Sequence, residues 1–515
     1  MVCKLLSLAL CLALAFTCFG ALAEGEYPIV EEPITVTAIV DTNNDSMDPR
    51  LSWTALEDVT GIHVDFTLIE NDALAVFMAA GDWPDFFHLT LKPSYINDYG
   101  ILGGMFVDYN DYLDIMPNLV QTFEDYPESD KVVREVNGAI YQLPRMERSA
   151  TTCQARVYYR ADVMEKAGLK MPATTEEFYD VLTALKAFND GAAPLDVSFT
   201  ASGYFEPFMY ASFGPSTQVN FEDDGTGKVV YNRTSEQYKL YMEYVHRLYA
   251  DGLLHPEYLT LDGSTELSLA AAGLTVFMGS TAHSLTEADF PSGHVDLGVL
   301  APLTSEYDDE QVVLGSLGVD VGGFAINAQS KYIPEICKML DVFFATEEVV
   351  PGTGVYGIIG CYGPEGGMWR FANEEKTMYE FVLPEGYEGT TTNYQYKEVI
   401  YTNCGRVDVL ANAVTSTPGN AQSRQLGFVK NLLPYGKRDE FPTGLLKFTE
   451  DEQAMLDKNY VDIDTYVNNM RSQFITGVSS VETDWDAYCN RVKAMGIDDV
   501  LAVYQAAYDR WNSIE

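Results

Sequence analysis

Basic residues are scarce in this chain: 32 lysines and arginines stand against 76 aspartates and glutamates in 515 residues, a formal net charge of −44. Such a charge repels polyphosphate and anionic headgroups, which argues against nucleic-acid and membrane-surface roles. The acid is spread along the chain, so it reads as a solvated surface and not as a binding tail. Cysteine is thin as well. Cys3, Cys11 and Cys18 fall in the leading segment, and Cys153, Cys337, Cys361, Cys404 and Cys489 are odd in number, far apart and without a C-x-x-C. That excludes a disulfide framework and a thiolate zinc or redox motif, and leaves room for two bridges at most. The six histidines, His63, His88, His246, His255, His283 and His294, form no H-E-x-x-H, and no G-x-S-x-G elbow exists. Gly352–Gly357 spells G-x-G-x-x-G but follows the helical pattern of 334–345 instead of a strand, so it reads as a loop and not a dinucleotide turn. With this many carboxylates a glycosidase pair stays open to an exported hydrolase, yet none sits in a catalytic motif. A non-enzyme without cofactor is expected.

What is present begins with an export signal. Lys4 precedes an apolar run from Leu5 to Phe19, broken by Ser7 and Thr17, and Ala21-Leu22-Ala23 follows. This is the charged, apolar and small-residue order of a cleaved secretory peptide. The run is too short for a spanning helix, which needs ~20 apolar residues, and nothing later approaches that length. Ala15-Phe16-Thr17 ahead of Cys18 is a poor lipid-attachment pattern. Cleavage after Ala23 and release as a soluble extracellular or periplasmic protein, without membrane insertion, is therefore expected. Apolar residues make up 47% of the chain, ample for a large core, and the length allows two to four units of roughly 100–200 residues.

Strand and helix patterns alternate early. Ile34–Val40, His63–Leu68 and Asp85–Leu89 read as strands, and Met47–Val59 and Leu74–Ala80 as helices. That βαβαβ order favours a parallel sheet with right-handed crossovers. Thr174 and Glu177 have capping-box spacing, and Phe178, Val181, Leu182 and Leu185 follow as one apolar face. Tyr238, Tyr241, Met242, Val245, Leu248 and Tyr249 form a second such face, closed by Asp251-Gly252. Strands return at 274–278, 295–300 and 323–326, and the pattern is helical from Thr449. A chain that returns to strands late crosses between two lobes more than once.

Aromatics make up 12% of the residues, and most must be core. Some fall in Gly/Pro-rich loops, Gly81-Asp-Trp-Pro-Asp85 and Gly360–Arg370 among them. Flat rings beside carboxylates and amides suit the C–H faces and hydroxyl rims of sugars. Trp83 and Asp85 on one side, Glu365 and Trp369 on the other, and the Asn43-Asn44-Asp45 loop are the candidate ligand-binding residues. Packing is the alternative role for each aromatic.

Six segments, in order, resemble family 1 extracellular solute-binding proteins of ABC importers, especially the large carbohydrate-type members. They are MAAGDWPDFF (78–87), VNGAIYQLPR (136–145), the Y-R-x-D…P-x-T-x-x-E-F run of 158–186, LYADGLLHPE (248–257), GGFAINAQSKYIPE (322–335) and the tail from Phe474 to Trp511. The resemblance implies an α/β, two-lobed periplasmic-binding-protein-like fold of type II that closes over a solute, expected to be an oligosaccharide, and presents it to ABC permease subunits. A monomer is expected. The lobes are expected at 24–150 plus about 295–345 and at 151–294 plus about 346–515, after the signal at 1–23. A glycan or peptide receptor on the same fold without a transport partner is the alternative. Some larger relatives hold calcium in a loop after the helix matching 178–188; here Asn189–Asp196 is short and poor in carboxylates, and Glu222–Gly225 reads as a turn between strands, so no metal is expected.

Overall fold

The computed structural model describes residues 27–41, 50–70, 72–146, 155–196, 204–279, 281–387, 394, 398–399, 404–410, 413–437, 441–442 and 444–514. The leading segment, Asn43-Asn44-Asp45 and Cys153 lie outside them.

The first sheet grows from the alternating stretch. β1 (Ile34–Asp41) pairs in parallel with β2 (Ile62–Ile69) over their whole length, and α1 (Leu51–Thr60) crosses between them. Ser52, Trp53, Leu56, Val59 and Thr60 are the buried face of α1. Gly61 ends it with φ 76°, the left-handed cap that glycine adopts without a Cβ penalty. After α2 (Leu74–Ala80), β3 (Phe86–His88) joins the other side of β1, again parallel. The helix expected over Met47–Val59 begins at Leu51 among the described residues; its earlier positions lie in the undescribed stretch.

α3 (Pro127–Val133) then leads to β4 (Pro144–Met146), where the chain leaves this lobe. A second sheet collects β5 (Tyr158–Arg160), β6 (Leu195–Asp196), β7 (Phe277–Met278) and β8 (Leu297–Val299) in the order β8-β5-β7-β6. α4 (Thr175–Phe188) and α5 (Glu236–Ala250) pack in this lobe on the two faces legible in the sequence, with Phe178, Leu182, Leu185, Tyr238, Tyr241 and Met242 all buried. The Thr174 hydroxyl accepts from the Glu177 N–H at 3.1 Å, while the Glu177 carboxylate reaches past Thr174 to the Ala173 N–H at 2.7 Å. The cap is real and its return bond falls one residue early. Phe221–Asp223 and Val229–Tyr231 form an antiparallel hairpin, as the acidic turn between them foretells.

β9 (Val319–Val321) carries the chain back, pairing antiparallel with β4, and β10 (Ala325–Ile326) joins β3 in the first sheet. A third segment, β11 (Gly405–Arg406), lies parallel to β4. Two of these crossing strands therefore join the lobes side by side.

Near two of the expected lobe boundaries the chain makes contacts with the other lobe. Leu297–Val299, just past the boundary expected at about 295, pairs with β5 of the second sheet. Past residue 346, Ile359–Tyr362 contacts α1 of the first lobe, Arg50 donates to the Val399 carbonyl at 3.3 Å and the Ser52 hydroxyl to that of Glu398 at 3.4 Å. Sequence spacing carries no signal for such a return, because hairpins and turns of this kind suit either lobe. α6 (Asn420–Asn431) is back on the second sheet, where Asn431 donates to the Val299 carbonyl at 2.6 Å.

The C-terminal helices α7 (Glu450–Thr476), α8 (Val481–Ala494) and α9 (Ile497–Ser513) dock on α5 and its neighbours. A buried ion network fixes that docking. Glu206 takes Arg233 at 3.3 Å, Arg471 of α7 at 3.0 Å and the Tyr238 hydroxyl at 3.0 Å. Burial alone would raise the Glu206 carboxyl, but the two guanidiniums outweigh it and hold the carboxyl below its usual range. Removing one partner would leave a buried charge uncompensated, a change that costs about 3–5 kcal/mol.

Candidate functional site

Strand direction locates the site. β1, β2 and β3 are parallel, so Asp41, Ile69 and His88 mark one carboxyl edge of the first sheet. In the second sheet β5 runs against β7 and β8 while β6 follows β7, so the entry to β5 shares an edge with the carboxyl ends of the other three. Ligands of open α/β sheets sit outside carboxyl strand ends.

Just beyond the end of β3, a cavity of about 290 Å³ opens beside the crossing strands. Thr90 and Leu91 continue from β3. The Leu91 N–H donates to the Gln142 side-chain oxygen at 2.6 Å, and the Thr90 hydroxyl donates to the Gly322 carbonyl. Arg145 of β4 and Asp320 of β9 are direct cross-strand partners on its wall, and Asp320 is exposed. Glu135 and Lys447 close one side with an ion pair at 2.8 Å. The cavity thus gathers amide, hydroxyl, guanidinium and carboxylate groups from both lobes and from the strands between them. Such a set can hydrogen-bond a polyhydroxylated solute from several directions.

His88 lies behind this edge in an aromatic box. Its ring centroid is 5.5 Å from that of Trp53, 5.8 Å from Phe66 and 5.0 Å from Phe324, and both ring nitrogens are buried without a hydrogen-bond partner. Burial pushes its pKa down to about 4, so the ring is neutral at ordinary pH.

The residues singled out from the sequence fall elsewhere. Trp83 and Asp85 precede β3, which puts them on the amino side of the sheet, away from the carboxyl edge. Trp83 stacks on Phe106 at 5.1 Å, meets Phe87 and Tyr99 edge-on, and donates its indole N–H to the Met78 carbonyl at 3.1 Å. Asp85 is a staple: it accepts from the Thr37 N–H and hydroxyl, both at 2.8 Å, and from the Ser330 hydroxyl at 2.6 Å. Trp369 is wholly buried, at 0% exposure, and donates to the Gly363 carbonyl at 3.0 Å, so it offers no ring face to a solute in this arrangement. Glu365 accepts from the Tyr356 hydroxyl at 2.7 Å in the same cluster of turns. A Gly-Pro loop around a tryptophan marks a tight packing corner here as readily as a binding loop. Asn43, Asn44 and Asp45 follow the carboxyl end of β1 in sequence but lie outside the described residues.

Thr90, Gln142, Arg145, Asp320, Glu135 and Lys447 line this cavity and are not among the candidates read from the sequence. For Thr90 a signal existed, since residues directly after a parallel strand are at its carboxyl end. Nothing in the sequence pairs Arg145 with Asp320, which only the crossing of the chain brings together.

The glycine-rich loop has a packing reason for its glycine at 354. Gly354 has φ 69°, and a Cβ there would collide with the Glu365 carbonyl. The close approach of two chain segments explains that glycine. Cys337, Cys361, Cys404 and Cys489 are thiols. Among the described residues no group of three His, Cys, Asp or Glu side chains is arranged to hold a metal ion, and no helix is long and apolar enough to cross a membrane.

Two lobes joined by crossing strands, with a polar cavity where they meet, are the architecture of a solute-binding protein. The family model of bacterial extracellular solute-binding proteins matches residues 50–350, and the chain belongs to that family. It is similar to the fructooligosaccharide ABC transporter substrate-binding protein FusA of Streptococcus pneumoniae serotype 4, with 23% identity over 90% of this chain and 87% of that one. The structure of S. pneumoniae FusA in complex with kestose superposes with a TM-score of 0.67 at 19% identity, covering 94% of this chain and 100% of that chain. An extracellular solute-binding protein from Bifidobacterium longum subsp. infantis gives a TM-score of 0.71 at 18% identity over 93% and 98% of the two chains.

Proposed function

We propose that this chain is the exported solute-binding component of an ABC importer and that it takes an oligosaccharide into the cavity beside the crossing strands. The observation that carries this reading is family membership joined to likeness over nine-tenths of the chain to a relative named for fructooligosaccharide transport. The polar lining by Thr90, Arg145 and Asp320 supports it, since hydroxyl-rich solutes need donors and acceptors around their rims. The chain works as a monomer, hands its solute to permease subunits and leaves it chemically unchanged. Hinge closure is the motion that a site split between two lobes requires.

Calorimetry with kestose and a panel of other oligosaccharides and peptides, followed by chromatography of the recovered ligand, tests this reading. Saturable binding of a sugar that is recovered intact is the expected result. Cleaved sugar at catalytic turnover, or binding confined to peptides, would replace the reading with a hydrolase or a peptide receptor.

A further inference from the structure

We propose that Glu135 and Lys447 are positioning residues whose ion pair, made between the two lobes, sets the balance of lobe arrangements and through it the affinity for solute.

The two side chains meet at 2.8 Å although 312 positions separate them, and each is carried by a different lobe. Glu135 follows α3, which packs on β4 and β9, and its N–H donates to the Ala139 carbonyl at 2.9 Å. Its neighbour Arg134 is fixed to Asp130 at 2.7 Å. Glu135 therefore moves with the first lobe. Lys447 precedes α7. Its carbonyl accepts from Arg510 of α9 at 2.9 Å, and the same guanidinium holds Glu452 of α7 at 2.8 Å. Phe448 packs edge-on against Tyr504 of α9 at 5.3 Å. Those helices are fixed to the second lobe through Arg471 and Glu206, so Lys447 moves with that lobe.

A rotation about the crossing strands moves the two carriers relative to each other. An ion pair made across the junction is then favoured in one arrangement and stretched in the other. The pair is well shielded, with 19% of the Lys447 side chain and 12% of the Glu135 side chain exposed, so bulk screening weakens it less than it would a surface pair. Apparent affinity is the intrinsic affinity scaled by the fraction of molecules in the competent arrangement. A contact that shifts this fraction changes affinity beyond any bond its groups make with the solute.

The test uses the full mature chain and three variants: Glu135→Gln, Lys447→Met and the exchanged pair E135K/K447E. Small-angle scattering of the protein without added sugar is the first measurement. Both single variants are expected to change the radius of gyration in the same sense, and the exchanged pair to return it toward the parent value. Titration with kestose is the second, with a roughly 3–10-fold change in Kd in both single variants and recovery in the exchanged pair. Parent-like scattering in both single variants, or an exchanged pair that stays displaced, overturns the proposal. The affinity measurement rests on the oligosaccharide reading and the scattering does not, so failure of kestose to bind the parent leaves the scattering to decide. If one single variant does not fold, the other single variant and the exchanged pair decide by the same scattering outcomes.

Discussion

Asp196 and Glu266 are buried in the second lobe at 3% exposure each, and one carboxylate oxygen of each meets no hydrogen-bond donor. Burial first, and the Glu266 charge second, push the Asp196 carboxyl up to about 7. The folded state therefore holds a proton that the unfolded chain releases near its ordinary value of 3.8. This contribution to stability is present in full below that value and is lost as pH rises toward 7, by up to about 1.4 kcal/mol per pH unit. Asp196→Asn should remove it. Melting temperatures of the parent and of Asp196→Asn, measured from pH 4 to 7, should converge toward the acid end and separate toward neutrality, with the variant the more stable there.

His88 acts in the opposite sense. Its folded pKa of about 4 lies below the ordinary 6.5, so the unfolded chain takes up a proton first as pH falls. Stability is intact above 6.5 and is lost between there and 4. Over that window the two groups offset each other, and the parent should melt with little pH dependence from these sites. His88→Phe keeps an aromatic ring in the box of Trp53, Phe66 and Phe324 and should unmask the Asp196 slope. A melting profile of this variant parallel to the parent would show that His88 is not held neutral.

Trp369→Ala should destabilise the fold by about 3–5 kcal/mol, the cost of emptying a fully buried aromatic site. Trp83→Ala should also lower the melting temperature, because it removes the stack on Phe106 and the bond to the Met78 carbonyl. Denaturant titration reads both effects. A loss of sugar binding with unchanged stability in either variant would return that tryptophan to the ligand site.

Asp320→Ala should do the reverse. The side chain is exposed on the cavity wall opposite Arg145, so the melting curve should hardly move. A charged hydrogen bond to a sugar hydroxyl contributes about 1.5–3 kcal/mol, so kestose affinity should fall roughly tenfold or more. Calorimetry on the folded variant decides it, and an unchanged Kd would place the solute elsewhere along the junction.

The mature protein should begin at Glu24 and partition into the aqueous phase. N-terminal sequencing of the exported protein and detergent phase separation check this. A lipid-modified Cys18 would contradict it.

The sequence by itself determined what depends on neighbouring residues. β-Branched residues laid out β1, period-2 alternation β2 and 3.6-residue periodicity α4 and α5, and Thr174 and Gly252 marked helix ends, because these patterns act within a few residues. The six ordered segments also carried the family and its two-lobed fold. Only the tertiary structure decided where the chain changes lobe. The pairing of Leu297–Val299 with β5, the contact of Ile359–Tyr362 with α1, the bond from Arg50 to Val399 and the meeting of Glu135 with Lys447 rest on contacts between segments far apart in sequence, which no local pattern encodes. The same reason leaves the role of the two tryptophans open in the sequence. A ring in a Gly-Pro loop has the same local sequence whether it faces a cleft or a core, and only the packing of Phe106 over Trp83 and the closure of the turns around Trp369 distinguish the two.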